Sequence, residues 1–165
     1  MTPLQLAYRT PDGLDPLVMT SDGQVLTGLH FADGPIPSGE PDLPVFRETC
    51  RWLDIYFSGR DPGFRPPYRL DGATPFRLEV LREVLAIPFG ATDTYGAIAA
   101  RLARRRGLAR MSAQAVGQAV GWNPVCLVIP CHRIVGAGGA PTGYGGGLPN
   151  KLVLLRHEAR GAAAR

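Results

Sequence analysis

Apolar positions fall into short runs separated by long polar stretches rich in glycine and proline. Between residues 3 and 32, Leu17-Val18-Met19 and Val25-Leu26-Thr27 flank Ser21-Asp22-Gly23, a pattern that predicts a β-hairpin. Residues 33–43 read as a loop. Phe46, Cys50, Leu53 and Phe57 then recur at helical spacing, which predicts a helix with Cys50 on its buried stripe. Residues 58–73 return to loop composition and are the candidate joint between two subdomains.

Beyond that joint the pattern is helical. Thr74 is a capping hydroxyl, Pro75 suits the first helical position, and Phe76, Val80, Leu81, Val84 and Leu85 form an apolar face. Pro88-Phe89-Gly90 ends this stretch. Thr94 caps a helix from Tyr95 to about Arg104, with Ile98 and Leu102 inward; after a turn at Gly107, Ser112 caps a third helix running to Val120. Two short helices joined by a glycine-containing turn make either a helix-turn-helix or an ordinary helical hairpin. The third helix is built from Ala113, Ala115, Gly117, Ala119 and Gly121, with Gln114 and Gln118 as its central polar residues. Such a helix packs closely, against a core or inside a narrow groove. The apolar run Val125 to Ile129, broken by Pro130, predicts a short buried strand. A last helix begins near Pro149, with Leu148, Leu152 and Leu155 predicted on its inner face.

Composition narrows the class. With 165 residues, 45% hydrophobic and 19% charged, the chain reads as a globular protein of one domain, or two small ones sharing a core. No apolar run approaches bilayer length, and Met1 to Gly13 lacks a basic start followed by an apolar stretch, so neither a membrane span nor a secretion signal is expected. Cys50, Cys126 and Cys131 form no even framework and no Cys-x-x-Cys pair, which points to a reducing, cytoplasmic setting. Charge is split along the chain. Residues 1–90 carry 8 Arg against 12 Asp and Glu; residues 91–165 carry 10 Lys and Arg against 2 acids. The basic half, with Arg101, Arg104, Arg105, Arg106 and Arg110 densest, is either a polyanion-facing surface or a solvated basic face.

Candidate chemistry centres on Cys131, which follows the apolar run and precedes His132 and Arg133. A neighbouring base or cation raises a thiol's thiolate fraction. In extended chain adjacent side chains diverge, so a turn or a bridging water is needed for His132 to act on Cys131. Cys126 reads as core packing. Residues 136–147 hold 7 glycines around Tyr144, either a loop that brings backbone N–H groups to a ligand or a flexible surface loop. Glu158 is the lone acid after Asp93 and a candidate orienter for a histidine.

Pro130-Cys131-His132-Arg133-Ile134-Val135 resembles the active-site signature of the O6-alkylguanine-DNA alkyltransferases, the methylated-DNA–protein-cysteine methyltransferases. Asn123-Pro124, Gly143 to Leu148, Lys151 and His157-Glu158 stand at the family's spacing, as do Thr74-Pro75-Phe76, Ile87 to Gly90 and Tyr95. The likeness is strong over residues 74–161 and weaker around Tyr56-Phe57-Ser58-Gly59.

This resemblance implies an α+β protein in two parts. Residues 1–73 would form a small ribonuclease-H-like α/β support, and residues 74–165 a mostly helical, winged-helix-like domain with the DNA site. It implies a helix-turn-helix in the minor groove of double-stranded DNA, extrusion of an O6-alkylguanine, and irreversible alkyl transfer to Cys131 without a cofactor. O4-alkylthymine is a further candidate lesion. In this scheme His132 acts through a water, Glu158 sets its tautomer and Asn123 braces the turn. Tyr95 would press on the lesion and donate to the base. Main-chain groups of Cys131, Val135 and Gly145 would read the base, and Tyr144 would wall the pocket. Arg110, Gln114, Ala115, Arg133 and Lys151 complete the expected DNA- and substrate-binding set. The chain would act as a cytoplasmic, nucleoid-associated monomer. No zinc site is expected, because the amino-terminal region has only His30 and no cysteine before Cys50. Gln114 stands where many relatives carry an arginine that fills the gap left by the extruded base. That departure keeps an alternative open, a lesion-sensing DNA-binding protein with weak transfer. A Cys-His hydrolase, the third class, needs an oxyanion site that the sequence does not display.

Overall fold

The computed structural model describes residues 2–165. Its elements are β1 (Leu4–Tyr8), β2 (Leu17–Ser21), β3 (Leu26–Phe31), α1 (Pro44–Phe57), α2 (Pro75–Leu85), β4 (Asp93–Thr94), α3 (Tyr95–Arg105), α4 (Ala113–Gly121), β5 (Ile134–Val135) and α5 (Leu148–Ala163), with a 3₁₀ turn at Cys131–Arg133 before β5. The α+β class expected from the sequence is the class observed.

β1, β2 and β3 form an antiparallel sheet in that order, with Leu6 opposite Met19 and Met19 opposite Leu29. Its hairpin turn is held by short side chains: Ser21 Oγ accepts the Gly23 N–H at 2.9 Å, and Asp22 Oδ1 accepts from Gln24 and Val25. In α1 the residues Val45, Phe46, Thr49, Trp52, Leu53 and Tyr56 are buried in the core. Full burial of Phe46 and Leu53 contributes about 2 kcal/mol each. Cys50, expected to be buried on this stripe, is only half-buried, because the stripe is centred on Phe46, Leu53 and Tyr56.

The segment 58–73 is tied down rather than free. Trp52 Nε1 donates to Phe64 O at 2.7 Å, and residues 67–69 run beside β3 through Leu26 N–H to Pro67 O and Arg69 N–H to Leu26 O. One continuous apolar cluster joins residues on both sides of it, from Leu17 and Phe46 to Val84, Ile129 and Leu154.

All three predicted caps are present. Thr74, Thr94 and Ser112 accept the N–H of Arg77, Ala97 and Ala115 at 3.2, 3.0 and 3.2 Å. Each stabilises its helix by about 1 kcal/mol. α4 packs on α2 and α3 through Val116, Ala119 and Val120.

Two expectations are corrected. Val125–Ile129 is not a strand. Its residues are buried, but Leu127 adopts a left-handed φ of 69°, Ile129 N–H returns to Val125 O, and the chain doubles back against Leu29. An apolar run reports burial and not chain direction. In α5 the buried face is Asn150, Lys151, Leu154 and Glu158, whereas Leu148 is 41% exposed. The apolar leucines misled here because this helix turns polar side chains inward.

Candidate active site

Pro130 ends the buried turn and the chain enters a single 3₁₀ turn, Cys131–Arg133. Cys131 is 5% exposed; its N–H is given to Ile129 O at 2.8 Å, and its carbonyl accepts the Ile134 N–H that closes the turn. Because the backbone is coiled here, His132 and Arg133 both turn into the protein and are buried. Asn123 cross-braces the preceding turn: its Nδ2 donates to Ile129 O at 2.9 Å, and its Oδ1 accepts the Val125 N–H at 3.0 Å.

Glu158, projecting from α5, organises the charged centre. Its Oε1 accepts from Arg133 Nε at 2.7 Å and from the Gly90 N–H at 3.0 Å. Its Oε2 accepts from Tyr56 Oη at 2.7 Å and is bonded to His132 Nε2. Burial alone would raise this carboxyl; the hydrogen bonds and charges of His132 and Arg133 outweigh burial and hold it at about 2. For His132 burial dominates and lowers the pKa, which favours neutral imidazole. The neutral ring donates Nε2–H to Glu158, so Nδ1 carries the lone pair. His132 Nδ1 and Tyr144 Oη are buried polar atoms without a hydrogen-bond partner in the protein, among the described residues.

A cavity of about 630 Å³ opens on Cys131. Cys126 and Asn123 line it beside the thiol, Tyr95 and Gly117 form one wall, and the 143–147 loop forms another. The Cys126 thiol lies against Cys131, and the polar groups of Cys126, Asn123 and Tyr144 around the sulfur lower the Cys131 pKa despite complete burial. Cys126, read from the sequence as packing alone, therefore touches the candidate chemistry. Tyr95 is half-buried and its pKa is raised, by burial first and then by the Cys131 charge, so its phenol keeps its proton. Tyr144 meets Phe31 edge-on at 6.4 Å. A Cβ on Gly146 would stand 2.7 Å from the Tyr144 ring and 2.8 Å from Phe31, so only glycine lets the loop pass there. Gly145 lines the same wall, and Val135 is buried where β5 pairs with β4.

Two residues expected among the DNA and substrate contacts are corrected. Lys151 is fully buried; its Nζ donates to Ile134 O, Thr142 O and Gly143 O at 2.5, 3.1 and 3.0 Å. It ties the 142–143 loop to the start of β5 from inside. Arg133 is spent on Glu158 and on Ile87 O at 2.7 Å. Lys151 has three internal acceptors and Arg133 two, and both side chains are turned into the protein. The arginine cluster is likewise thinner than its count. Arg101 pairs with Glu83 and Asp93, Arg105 with Glu83 and Arg106 with Glu79. Arg104 and Arg110 are exposed and have no ion-pair partner among the described residues. Gln114 is exposed on α4, and Ala115 beside it is half-exposed. Tyr56 meets Glu158 although sequence reading does not single it out as a site residue. Its hydroxyl on an otherwise apolar face was the available signal.

A family model described as "6-O-methylguanine DNA methyltransferase, DNA binding domain" matches residues 75–160. The methylated-DNA–protein-cysteine methyltransferase of Mycobacterium bovis is 38% identical over 95% of this chain and 94% of its own length. That of Methanosarcina acetivorans is 35% identical over 92% of this chain and 95% of its own. Among solved structures, Mycobacterium tuberculosis OGT in complex with DNA superposes with a TM-score of 0.79 at 34% identity, covering 95% of this chain and 93% of that one. No helix among the described residues is long and apolar enough to cross a membrane.

Proposed function

The chain belongs to the family of methylated-DNA–protein-cysteine methyltransferases, enzymes of DNA repair, and on that footing we propose that Cys131 takes the alkyl group from O6-alkylguanine in duplex DNA. The observation that carries this reading is a buried thiol at the floor of a cavity, beside a neutral histidine whose free nitrogen is buried without a partner.

The steps follow from these groups. A lesion inside the duplex is out of reach until it leaves the stack, and α4, with its small side chains, suits a minor groove about 6 Å wide. The Cys131 proton passes through a water to His132 Nδ1. The thiolate sulfur attacks the alkyl carbon; the carbon–sulfur bond forms as the carbon–O6 bond breaks, and the electron pair leaves with guanine. Guanine is a poor leaving group unless protonated or hydrogen-bonded, and the Tyr95 phenol supplies that proton donor. The Cys131 carbonyl and main-chain groups of Val135 and Gly145 read the base edge, and Tyr144 walls it. The product is a thioether, which nothing in the site reverses, so each molecule acts once. Arg104, Arg110 and the exposed end of α4 are the groups left to meet the DNA, the chain working as a monomer in the cytoplasm.

Intact-protein mass after mixing with a duplex bearing one O6-methylguanine tests this. One methyl group per protein, mapped to Cys131 and absent from Cys131→Ala, is the expected result. Lesion binding with unchanged mass would favour the second reading, a lesion sensor, for which exposed Gln114 is the supporting feature.

A further inference from the structure

Tyr56 enters the reactive centre from the other half of the chain. It lies on α1, is fully buried, and places its hydroxyl 2.7 Å from Glu158 Oε2. That oxygen is the one bonded to His132 Nε2, and the hydroxyl is 3.5 Å from Nε2 itself. We propose that Tyr56 is a positioning residue: its phenol occupies Glu158 Oε2 as a second donor and so keeps His132 as the neutral Nε2–H tautomer that can accept the Cys131 proton.

The argument is one of competition for a single oxygen. A carboxylate oxygen that already accepts a strong hydrogen bond is a weaker partner for an imidazolium. Remove the phenol hydrogen, and Oε2 has only His132 to satisfy it. The charged form of His132 is then favoured, and a protonated Nδ1 accepts nothing. The phenol does not share its proton away, because burial, followed by the Glu158 charge, holds it well above the ordinary tyrosine range.

Other groups facing His132 do not do this job. Glu158 and Lys151 approach from α5, Arg133 and Cys131 from the same 3₁₀ turn. Arg133 binds the opposite oxygen, Oε1, and Lys151 is committed to three carbonyls. His157 lies behind Tyr56, bonding its backbone O at 2.7 Å. The Tyr56 ring cannot swing away: Trp52 stacks on it at 5.4 Å and Phe89 closes edge-on at 5.8 Å. Tyr56→Phe therefore removes the hydrogen bond and leaves the packing.

This inference rests on Cys131 being the acceptor, so its test has two arms. In full-length protein, ¹⁵N NMR follows the His132 tautomer against pH, independently of any transfer. Single-turnover transfer from an O6-methylguanine duplex gives the pH–rate profile. For Tyr56→Phe, the His132 titration and the acid limb of the profile should both move up by about one pH unit, a roughly tenfold loss of rate on the acid side. Site-specific 3-fluorotyrosine at position 56, a stronger donor with the same shape, should move both the other way and covers the case in which the Phe variant folds poorly. A purely structural Tyr56 predicts lower melting temperature with both curves unmoved, and that result overturns the proposal. Absence of transfer in the unmodified protein would instead refute the proposed reaction, while the NMR arm still decides the role of Tyr56.

Discussion

Arg133 Nε donates to Glu158 Oε1 at 2.7 Å, joining the 3₁₀ turn of Cys131 to the C-terminal helix inside the protein. Against the opposing effect of burial, His132 and then Arg133 hold Glu158 at about 2, below its ordinary 4.5, so the unfolded chain binds the extra proton between those values. The resulting stability is present above pH 4.5 and is lost as pH falls through the folded value. Glu158→Gln should remove that acid-range slope and, by leaving Arg133 buried without its counter-charge, cost about 3–5 kcal/mol at pH 7. Denaturant melts of both proteins from pH 7 to pH 3 check this; parallel curves would contradict it.

The Cys126 thiol lies against Cys131 and favours the thiolate there. Cys126→Ala should shift the alkylation of Cys131 by iodoacetamide to higher pH and slow it near neutrality. Peptide mapping at several pH values reads the two thiols separately. An unchanged midpoint would return Cys126 to simple packing.

Lys151 is a buried ammonium whose three acceptors are main-chain carbonyls of Ile134, Thr142 and Gly143. Lys151→Met fills similar space and strands those carbonyls. We expect a loss of about 3 kcal/mol and faster amide exchange across residues 142–147. Exchange confined to the chain ends would mean that the loop is held by other contacts.

Gln114 stands exposed on α4 and carries no charge. If it limits extrusion of the base from duplex DNA, Gln114→Arg should speed transfer from a duplex lesion and leave transfer from a free O6-alkylguanine base unchanged. Equal rates on the duplex would show that extrusion does not depend on this position.

Much of the local structure was legible in the residues. Thr74, Thr94 and Ser112 cap their helices because a hydroxyl before an amphipathic run has few better uses. The hairpin at Ser21-Asp22-Gly23 was readable for the same reason, since it depends on residues a few positions apart. The 125–129 segment was not, since a run of apolar side chains looks alike in a strand and in a buried turn. Nor was the inward face of α5, where Lys151 and Glu158 break the rule that charge faces water because each has its acceptors or donors waiting inside.

Sequence alone thus determined the cap positions, the inward faces of α2 and α3, and the placing of Cys131 next to a histidine and an arginine. Tertiary structure decided what those residues meet. It brought Glu158 to His132 across 26 residues and Tyr56 to Glu158 across 102. It also paired Arg105 and Arg106 with Glu83 and Glu79 of α2, acids on the other side of the charge divide, and Arg101 with Glu83 and with Asp93 of β4. The physical reason is that dihedral preference and apolar period act over one or two turns of chain. The partner opposite a buried charge is chosen only when distant elements pack.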